Sequence, residues 1–283
     1  MVFDLTTIYH AREWLKNNLG LSFKELLSEY TNCSDTDSFV EKHYESLNDL
    51  DMNLQQFAAF HVTTNSNQCN EIRTTGICNL QRVLGNSSEL SRFLYDHGFN
   101  FDIEQRKMMH NGKVYDINYN NYKSKDNLSF IEEKLRSIAR KICSDFQVTS
   151  FLFSRNIFSY GTNIDERPEF LQTLSSFCSP VDFLGDSWRN QRTGYVIKYL
   201  SMFHQFSYNT FYNTMEEYLH DSQSNWIILK KWMLSHAFDC CFSNLYSDIY
   251  AYMKPSCVIK PEQITEYISI DKWKENNKND SEY

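Results

Sequence analysis

The run that decides the fold is Phe57-Ala58-Ala59-Phe60-His61-Val62-Thr63-Thr64. It is compact, apolar and rich in residues that favour strands, so it predicts a buried β-strand. Because side chains alternate along a strand, His61 and Thr63 are expected on the same face. An imidazole and a hydroxyl side by side can both hydrogen-bond a ribose. The competing interpretation is that His61 is a core histidine whose hydrogen bonds are satisfied within the protein.

The residues after this strand extend the prediction. Residues 65–67 are polar and predict a loop, which supplies the Asn65 amide and backbone N–H groups. Residues 69–75 predict a short helix that ends at Gly76. The N-terminus of a helix attracts anions. Strand, loop and helix together therefore predict a pocket for a nucleotide.

The composition predicts an α+β protein. The chain has 283 residues, of which 41% are hydrophobic, so it can bury a large core. It contains only 8 Gly and 4 Pro, and so few turn-forming residues argue against an all-β sandwich. Hydrophobic periodicity predicts long helices over residues 7–31 and 128–144. Further strands are predicted at residues 148–153, 194–200, 249–252 and 256–259.

Three regions are predicted along the chain. Residues 1–52 are predicted to form an N-terminal helical appendage, residues 53–270 the α+β core, and residues 271–283 a polar tail. Within the core, residues 99–127 are irregular and rich in Asn, and Asn111-Gly112 is typical of a hairpin turn.

Charge and cysteine content limit the classes of partner. The net charge is -8, and an acidic chain gains no long-range attraction to nucleic acid or anionic lipid. No apolar run reaches the ~18 residues of a membrane span, and the N-terminus lacks the basic region of a signal peptide. We therefore expect a cytoplasmic protein with no membrane partner. The 8 cysteines are scattered without a Cys-x-x-Cys motif, which predicts reduced thiols and no metal site.

Residues 61–77 resemble the opening of ADP-ribosyltransferase-fold enzymes. The matching residues are His61, Thr63, Ile72 and Gly76-Ile77, which fit the family pattern His-x-Thr…Ile-x-x-x-Gly-(Ile/Leu). Bacterial DNA-modifying and poly-ADP-ribose-type members share this opening. The resemblance implies a split mixed β core with peripheral helices, and NAD as the substrate.

The resemblance also implies roles for individual residues. In the family, the His and its hydroxyl neighbour hold the adenosine ribose of NAD, which here are His61 and Thr63, with Asn65 beside them. The aromatic residue that stacks on nicotinamide corresponds to Tyr160 or Tyr195, and the sequence does not decide between them.

Arg82 is the predicted substrate-binding residue. It is expected to reach a phosphate or a substrate base. The alternative is an ordinary surface arginine on a helix.

The catalytic carboxylate is where the chain departs from the family. The family places a Glu shortly before the last strand, but residues 252–255 hold no acid. Asp248 and Glu262 are the nearest candidates. The alternatives are that Asp248 is an acid at a helix end or turn, and that Glu262 is a first-turn helix acid favoured by the helix dipole.

The expected function is an NAD-dependent ADP-ribosyltransferase that modifies a protein or a nucleic acid. Family analogy further suggests a toxin or a phage-defence effector, with a neutralising or regulatory protein as a second partner. The alternative is a catalytically inactive module of the same fold that senses a nucleotide or binds a partner protein. A third interpretation is a different α+β fold in which His61 belongs to the core.

Overall fold

A computed structural model describes residues 2–33, 35–242 and 247–280. The predicted α+β class is confirmed for these residues. The strands are β1 (Val2–Phe3), β2 (Gln56–Asn65), β3 (Phe99–Asp102), β4 (Lys107–His110), β5 (Lys113–Asp116), β6 (Thr149–Phe153), β7 (Thr193–Met202), β8 (Ile249–Tyr252) and β9 (Ile264–Ser269). The helices are α1 (Ile8–Leu19), α2 (Phe23–Asn32), α3 (Thr36–His43), α4 (Asn70–Thr75), α5 (Leu80–Gly85), α6 (Glu89–Asp96), α7 (Phe130–Cys143), α8 (Glu169–Cys178), α9 (Phe183–Arg189), α10 (Met215–Ser222), α11 (Ile227–Phe242) and α12 (Ile270–Asp280). None of the described helices combines the length and the apolar character needed to cross a membrane.

The main sheet has six strands, with β2 near its centre. Its order is β8-β6-β2-β7-β9, and β1 runs parallel beside the start of β2. The other pairs are antiparallel. β7 pairs with all ten residues of β2, whereas β6 pairs with β2 only around Phe60 and Phe151. Within the described residues, the last part of β2 therefore has a strand neighbour on one side only.

Both faces of β2 are buried, each by a different hydrophobic cluster. Phe57 and Ala59 belong to the larger cluster, which includes residues of β1, α1, α3 and α11. Phe60 and Val62 belong to a smaller cluster, in which the ring centroid of Trp273 from α12 lies 5.1 Å from that of Phe60. The strand predicted at residues 57–64 is confirmed, because a central strand covered on both faces needs a continuous apolar run.

The N-terminal region shares the sheet and the core with the rest of the chain. β1 pairs with Gln56 and Phe57 of β2, and Phe3 and Leu15 are fully buried in the cluster that also contains α11 residues. The domain boundary at residue 52 stays a prediction. The predicted tail begins within α12, where Trp273 is buried.

Residues 99–127 contain a second, three-stranded sheet of order β3-β4-β5. The hairpin predicted at Asn111-Gly112 is confirmed as the two-residue turn between β4 and β5. Both turn residues have positive φ, 48° and 79°, as a type I′ turn requires.

Two predictions of secondary structure were wrong. The helix predicted over residues 7–31 is two helices, because α1 ends at Leu19 and Ser22 begins α2 with a capping box to Glu25. The strand predicted at residues 256–259 is only an isolated bridge of Ile259 to Ile77. The edge strand beside β7 is instead β9, which was not predicted from the sequence.

Gly76 sits where the end of α4 meets the segment before β9. Its φ is +76°, and an added Cβ would overlap the carbonyl oxygen of Ile259. The close approach is fixed by two backbone hydrogen bonds, from Ile77 N–H to Ile259 O (2.8 Å) and from Ile259 N–H to Ile77 O (3.1 Å). Gly76 is therefore required both by the backbone conformation and by the packing.

We expect Gly76→Ala to lower the free energy of unfolding by about 2–4 kcal/mol, since strain at positive φ and overlap with Ile259 act together. Gly161→Ala is the matched control, because a Cβ at Gly161 meets no atom within 4 Å. The control should change stability by less than about 0.5 kcal/mol. Urea unfolding measures both variants, and equal stabilities would contradict the packing described for Gly76.

Candidate functional site

A cavity of about 420 Å³ lies at the open side of β2. We call it the β2 cleft. It is bounded by the last part of β2, by α4, α5 and the start of α6, by the end of α7, and by the segment that leads into α8. Its lining includes His61, Thr63, Thr64, Asn65, Ile72, Cys78, Arg82, Glu71, Glu89, Lys141, Asp145, Thr149, Phe151, Tyr160, Arg167, Pro168, Glu169, Phe170 and Trp188.

The cleft exists because β6 does not continue along β2. The segment before β6 is tied to another element, since the N–H of Leu80 at the start of α5 donates to the carbonyl of Phe146 (2.9 Å). Residues of α5 and of the end of α7 line the cavity beside this segment. These helices therefore lie beside the open side of β2, with the cavity between them.

Five of the eight residues predicted for the site line this cleft, and three do not. His61, Thr63, Asn65, Arg82 and Tyr160 belong to the lining. Tyr195, Asp248 and Glu262 are absent from it.

His61 offers an acceptor to the cleft. Its ring is partly buried, and Nδ1 lies 2.9 Å from the carbonyl oxygen of Thr149. A carbonyl can only accept, so we assign the proton to Nδ1 and leave Nε2 as an acceptor. Burial lowers the pKa of His61 and outweighs the opposite effect of the bond to Thr149. The imidazole is therefore neutral at neutral pH. His61 also lines the cleft, and its contact with a ligand stays a prediction beside the alternative of a core histidine.

Of the polar residues that follow His61 on β2, Thr63 has a side chain free of described partners, whereas Thr64 and Asn65 hydrogen-bond within the protein. The hydroxyl of Thr63 has no hydrogen-bond partner among the described residues, whereas Thr64 Oγ1 accepts from Trp188 Nε1 (2.7 Å). Asn65 uses its amide on the loop: Oδ1 accepts from the Cys69 N–H (2.7 Å), and Nδ2 lies 3.1 Å from Cys69 Sγ. Thr63 is thus available to a ligand, and Asn65 instead shapes the loop before α4. A contact of Asn65 with a ribose stays a prediction.

Tyr160 lies beside a charged cluster that the sequence analysis did not identify. Lys141 Nζ lies 2.9 Å from Asp145 Oδ2 and 3.0 Å from Glu169 Oε2. Burial lowers the pKa of Lys141, but the hydrogen bonds and the negative charges of Asp145 and Glu169 together outweigh burial, so the pKa is raised and the amine stays charged. Burial, followed by the charge of Glu169, raises the pKa of Tyr160 and keeps its phenol neutral.

The other two acids that line the cleft, Glu71 and Glu89, form hydrogen bonds within the protein. Glu89 Oε1 accepts from the Ser66 N–H (3.0 Å) and pairs with Arg192 Nε (2.7 Å). Glu71 Oε2 accepts from the N–H of Glu89 (2.9 Å). These acids connect the loop after β2 with α4 and α6. Glu169 is the cleft acid whose charge acts on Tyr160.

Of Arg82 and Tyr195, only Arg82 lines the cleft. Arg82 is exposed. Tyr195 on β7 pairs with Thr63 on β2 but is absent from the lining of the cleft. Burial raises the pKa of its phenol. Its stacking on nicotinamide stays a prediction.

Both predicted catalytic acids lie outside the cleft. Asp248 precedes the edge strand β8, next to Tyr250. The side chain of Glu262 is 70% exposed, 3.8 Å from Lys260 Nζ. Their catalytic roles stay predictions and gain no support from the lining of the cleft.

His61 gives a testable dependence of stability on pH. Because its pKa is lowered in the folded chain, the unfolded chain binds a proton there more readily. Its contribution to stability is present above the unfolded pKa of about 6.5 and is lost as the pH falls. Between about pH 7.5 and about pH 5.5, the free energy of unfolding should fall more in the wild type than in His61→Gln. Urea titrations measure this, with the exposed His204→Gln as control, and a parallel decline in all three proteins would contradict it.

Comparison with known proteins yields no relative of this chain: no protein-family model, no curated protein and no solved structure matches it. The resemblance to ADP-ribosyltransferases rests on its motif residues and stays a prediction. His61, Thr63 and the charged groups around Tyr160 are the features that bear on function.

Proposed function

We propose that the β2 cleft binds NAD and that the protein transfers the ADP-ribosyl group of NAD to a macromolecule, either a protein or a nucleic acid. The observation that carries the proposal is that His61, Thr63 and Tyr160 all line one cavity. Its volume of about 420 Å³ is within the usual range for small-molecule sites. By family analogy alone, such a protein acts as a toxin or a phage-defence effector that a regulatory protein neutralises.

The end of β2 is suited to the adenosine ribose. A ribose presents adjacent hydroxyl groups that both donate and accept. A neutral His61 Nε2 accepts one hydrogen bond, and the free hydroxyl of Thr63 donates or accepts another. These two side chains lie on one face of the strand and line the same cavity.

Tyr160 is suited to the nicotinamide ring. It packs edge-on against Phe151 and Tyr250, with ring centroids 5.9 Å and 6.4 Å apart. These contacts fix the ring in orientation. A fixed, neutral aromatic ring in a cleft is a surface on which a planar heterocycle can stack.

Glu169 is the carboxylate that we propose for catalysis. In the transfer, the bond between nicotinamide and C1′ of its ribose breaks, and the electron pair leaves with nicotinamide. The acceptor nucleophile then bonds to C1′ and loses a proton. A carboxylate near C1′ stabilises the positive charge that develops on this ribose. Glu169 lines the cleft, and its charge lies close enough to Tyr160 to raise the pKa of that phenol.

Binding is tested by titrating NAD and measuring heat and thermal stability. The melting temperature of the wild type should rise with NAD concentration by mass action. His61→Ala should weaken binding by about tenfold, roughly the value of one hydrogen bond. His204→Ala is the control, because His204 is exposed and lies outside the cleft. If neither heat nor thermal stability responds to NAD, the proposal fails.

Catalysis is tested by release of nicotinamide in the presence of lysate or nucleic acid. Glu169→Gln keeps the shape of the side chain and removes its charge, so turnover should fall by about 10²–10³-fold while NAD affinity changes little. Glu166→Gln is the matched control, since Glu166 is exposed and outside the lining. Equal turnover by both variants would remove Glu169 from the mechanism.

The alternative function is a sensor of the same nucleotide without catalysis. The observation in its favour is that neither Asp248 nor Glu262 belongs to the lining of the cleft. A sensor would bind NAD through His61, release no nicotinamide with any acceptor, and show the same lack of turnover in the wild type and in Glu169→Gln.

A further inference from the structure

The first turn of α8 opens onto the cleft with unused donors. α8 begins at Glu169, its N-cap residue is Pro168, and no side chain caps it. The backbone N–H groups of Glu169 and Phe170 have no acceptor among the described residues. Pro168, Glu169 and Phe170 all line the cleft. Unpaired N–H groups at a helix N-terminus carry partial positive charge and favour an anion.

Arg167 adds a second, independent feature at the same place. Its side chain is only 6% exposed, yet it lines the cleft. Nε lies 2.6 Å from Asp182 Oδ2, and Nη1 donates to the carbonyl of Thr162 (2.9 Å). Nη2 has no partner among the described residues. The buried guanidinium is thus placed by an ion pair at Nε and a hydrogen bond from Nη1, and Nη2 remains for a ligand.

The surrounding charges leave room for an anion. The carboxylate of Asp182 is shared, because Oδ1 accepts from the N–H of Gly185 (3.1 Å) while Oδ2 pairs with Arg167. The carboxylate of Glu169 is paired with Lys141, 3.0 Å away. Asp182 and Glu169 therefore already have partners, and Arg167 Nη2 and the two N–H groups are the donors left over.

We propose that Arg167 and the first turn of α8 form an anion subsite of the cleft, which binds the diphosphate of a dinucleotide. Planar guanidinium groups and helix N-termini are both suited to phosphate oxygens. The identity of the nucleotide rests on the proposed function, whereas the anion subsite does not. The subsite predicts that the phosphates, and not only the ribose and the rings, contribute to affinity.

The first experiment titrates the full chain with sodium pyrophosphate, NAD and adenosine at constant ionic strength, using calorimetry. Arg167→Gln should weaken the binding of pyrophosphate and of NAD by about tenfold or more, and should leave adenosine within about twofold. Arg189→Gln is the matched control, because Arg189 also pairs with acids, 3.5 Å from Glu166 and 3.1 Å from Asp186, but is outside the lining. Circular dichroism checks that each variant is folded.

A second pair of variants avoids the buried ion pair and tests the backbone donors. Glu169→Ala removes the carboxylate and keeps the N–H, whereas Glu169→Pro removes both. Proline suits the first helical position, and Pro168 at φ -60° and ψ 132° is compatible with a following proline. Pyrophosphate should bind Glu169→Ala at least as tightly as it binds the wild type. It should bind Glu169→Pro more weakly than Glu169→Ala, by about threefold or more.

The binding results distinguish failure of the anion subsite from failure of the NAD proposal. Pyrophosphate binding that needs Arg167 and the Glu169 N–H supports the subsite, and if NAD then fails to bind, only the NAD proposal falls. NAD binding that is equal in Arg167→Gln and Arg189→Gln overturns the subsite and leaves the NAD proposal standing. If Arg167→Gln does not fold, equal pyrophosphate affinity of Glu169→Ala and Glu169→Pro overturns the subsite. A wild type that binds neither pyrophosphate nor NAD overturns both.

Discussion

Unequal strand pairing of β2 is the constraint on which the rest of the site depends. β7 pairs with β2 along its whole length, but β6 pairs with it only around Phe60. Backbone groups on an unpaired side of a strand need other partners, such as loops, water or a ligand. β6 begins at Thr149, whose carbonyl accepts a hydrogen bond from His61, and it does not continue beside Thr63. Both His61 and Thr63 therefore line a cavity at the end of β6.

The loop after β2 and the helix α4, which form the rim of this cavity, are fixed by short-range contacts. Asn65 uses both atoms of its amide on Cys69, which stabilises the left-handed backbone at Gln68 and Cys69, with φ of 54° and 63°. Gly76 then ends α4 in close contact with Ile259. A rim held in this way loses little conformational freedom when a ligand binds, so more of the contact energy is available as affinity.

The elements that could be predicted from sequence are those that local residues determine. The apolar run at residues 57–64 and the stop at Gly76 carry their own signals, and both are confirmed. β9 is an edge strand whose formation depends on pairing with β7, so its residues alone did not reveal it. Arg167 and Glu169 appear in the sequence only as the start of a helix. Their place beside Lys141 is a consequence of how α7 and α8 pack, which no local pattern encodes.

The net charge makes local donors decisive for an anionic ligand. A chain of charge -8 repels anions at long range, so affinity for a dinucleotide has to come from groups fixed at short range. Within the cleft the acids are already engaged: Glu89 with Arg192, and Glu169 with Lys141. Neutral acceptors and hydroxyls lie at the β2 end, and unused donors lie at the α8 end. This division matches a ligand with a ribose at one end and phosphates in the middle better than it matches a free base. It is the reason for favouring a dinucleotide even where the family resemblance gives no catalytic acid.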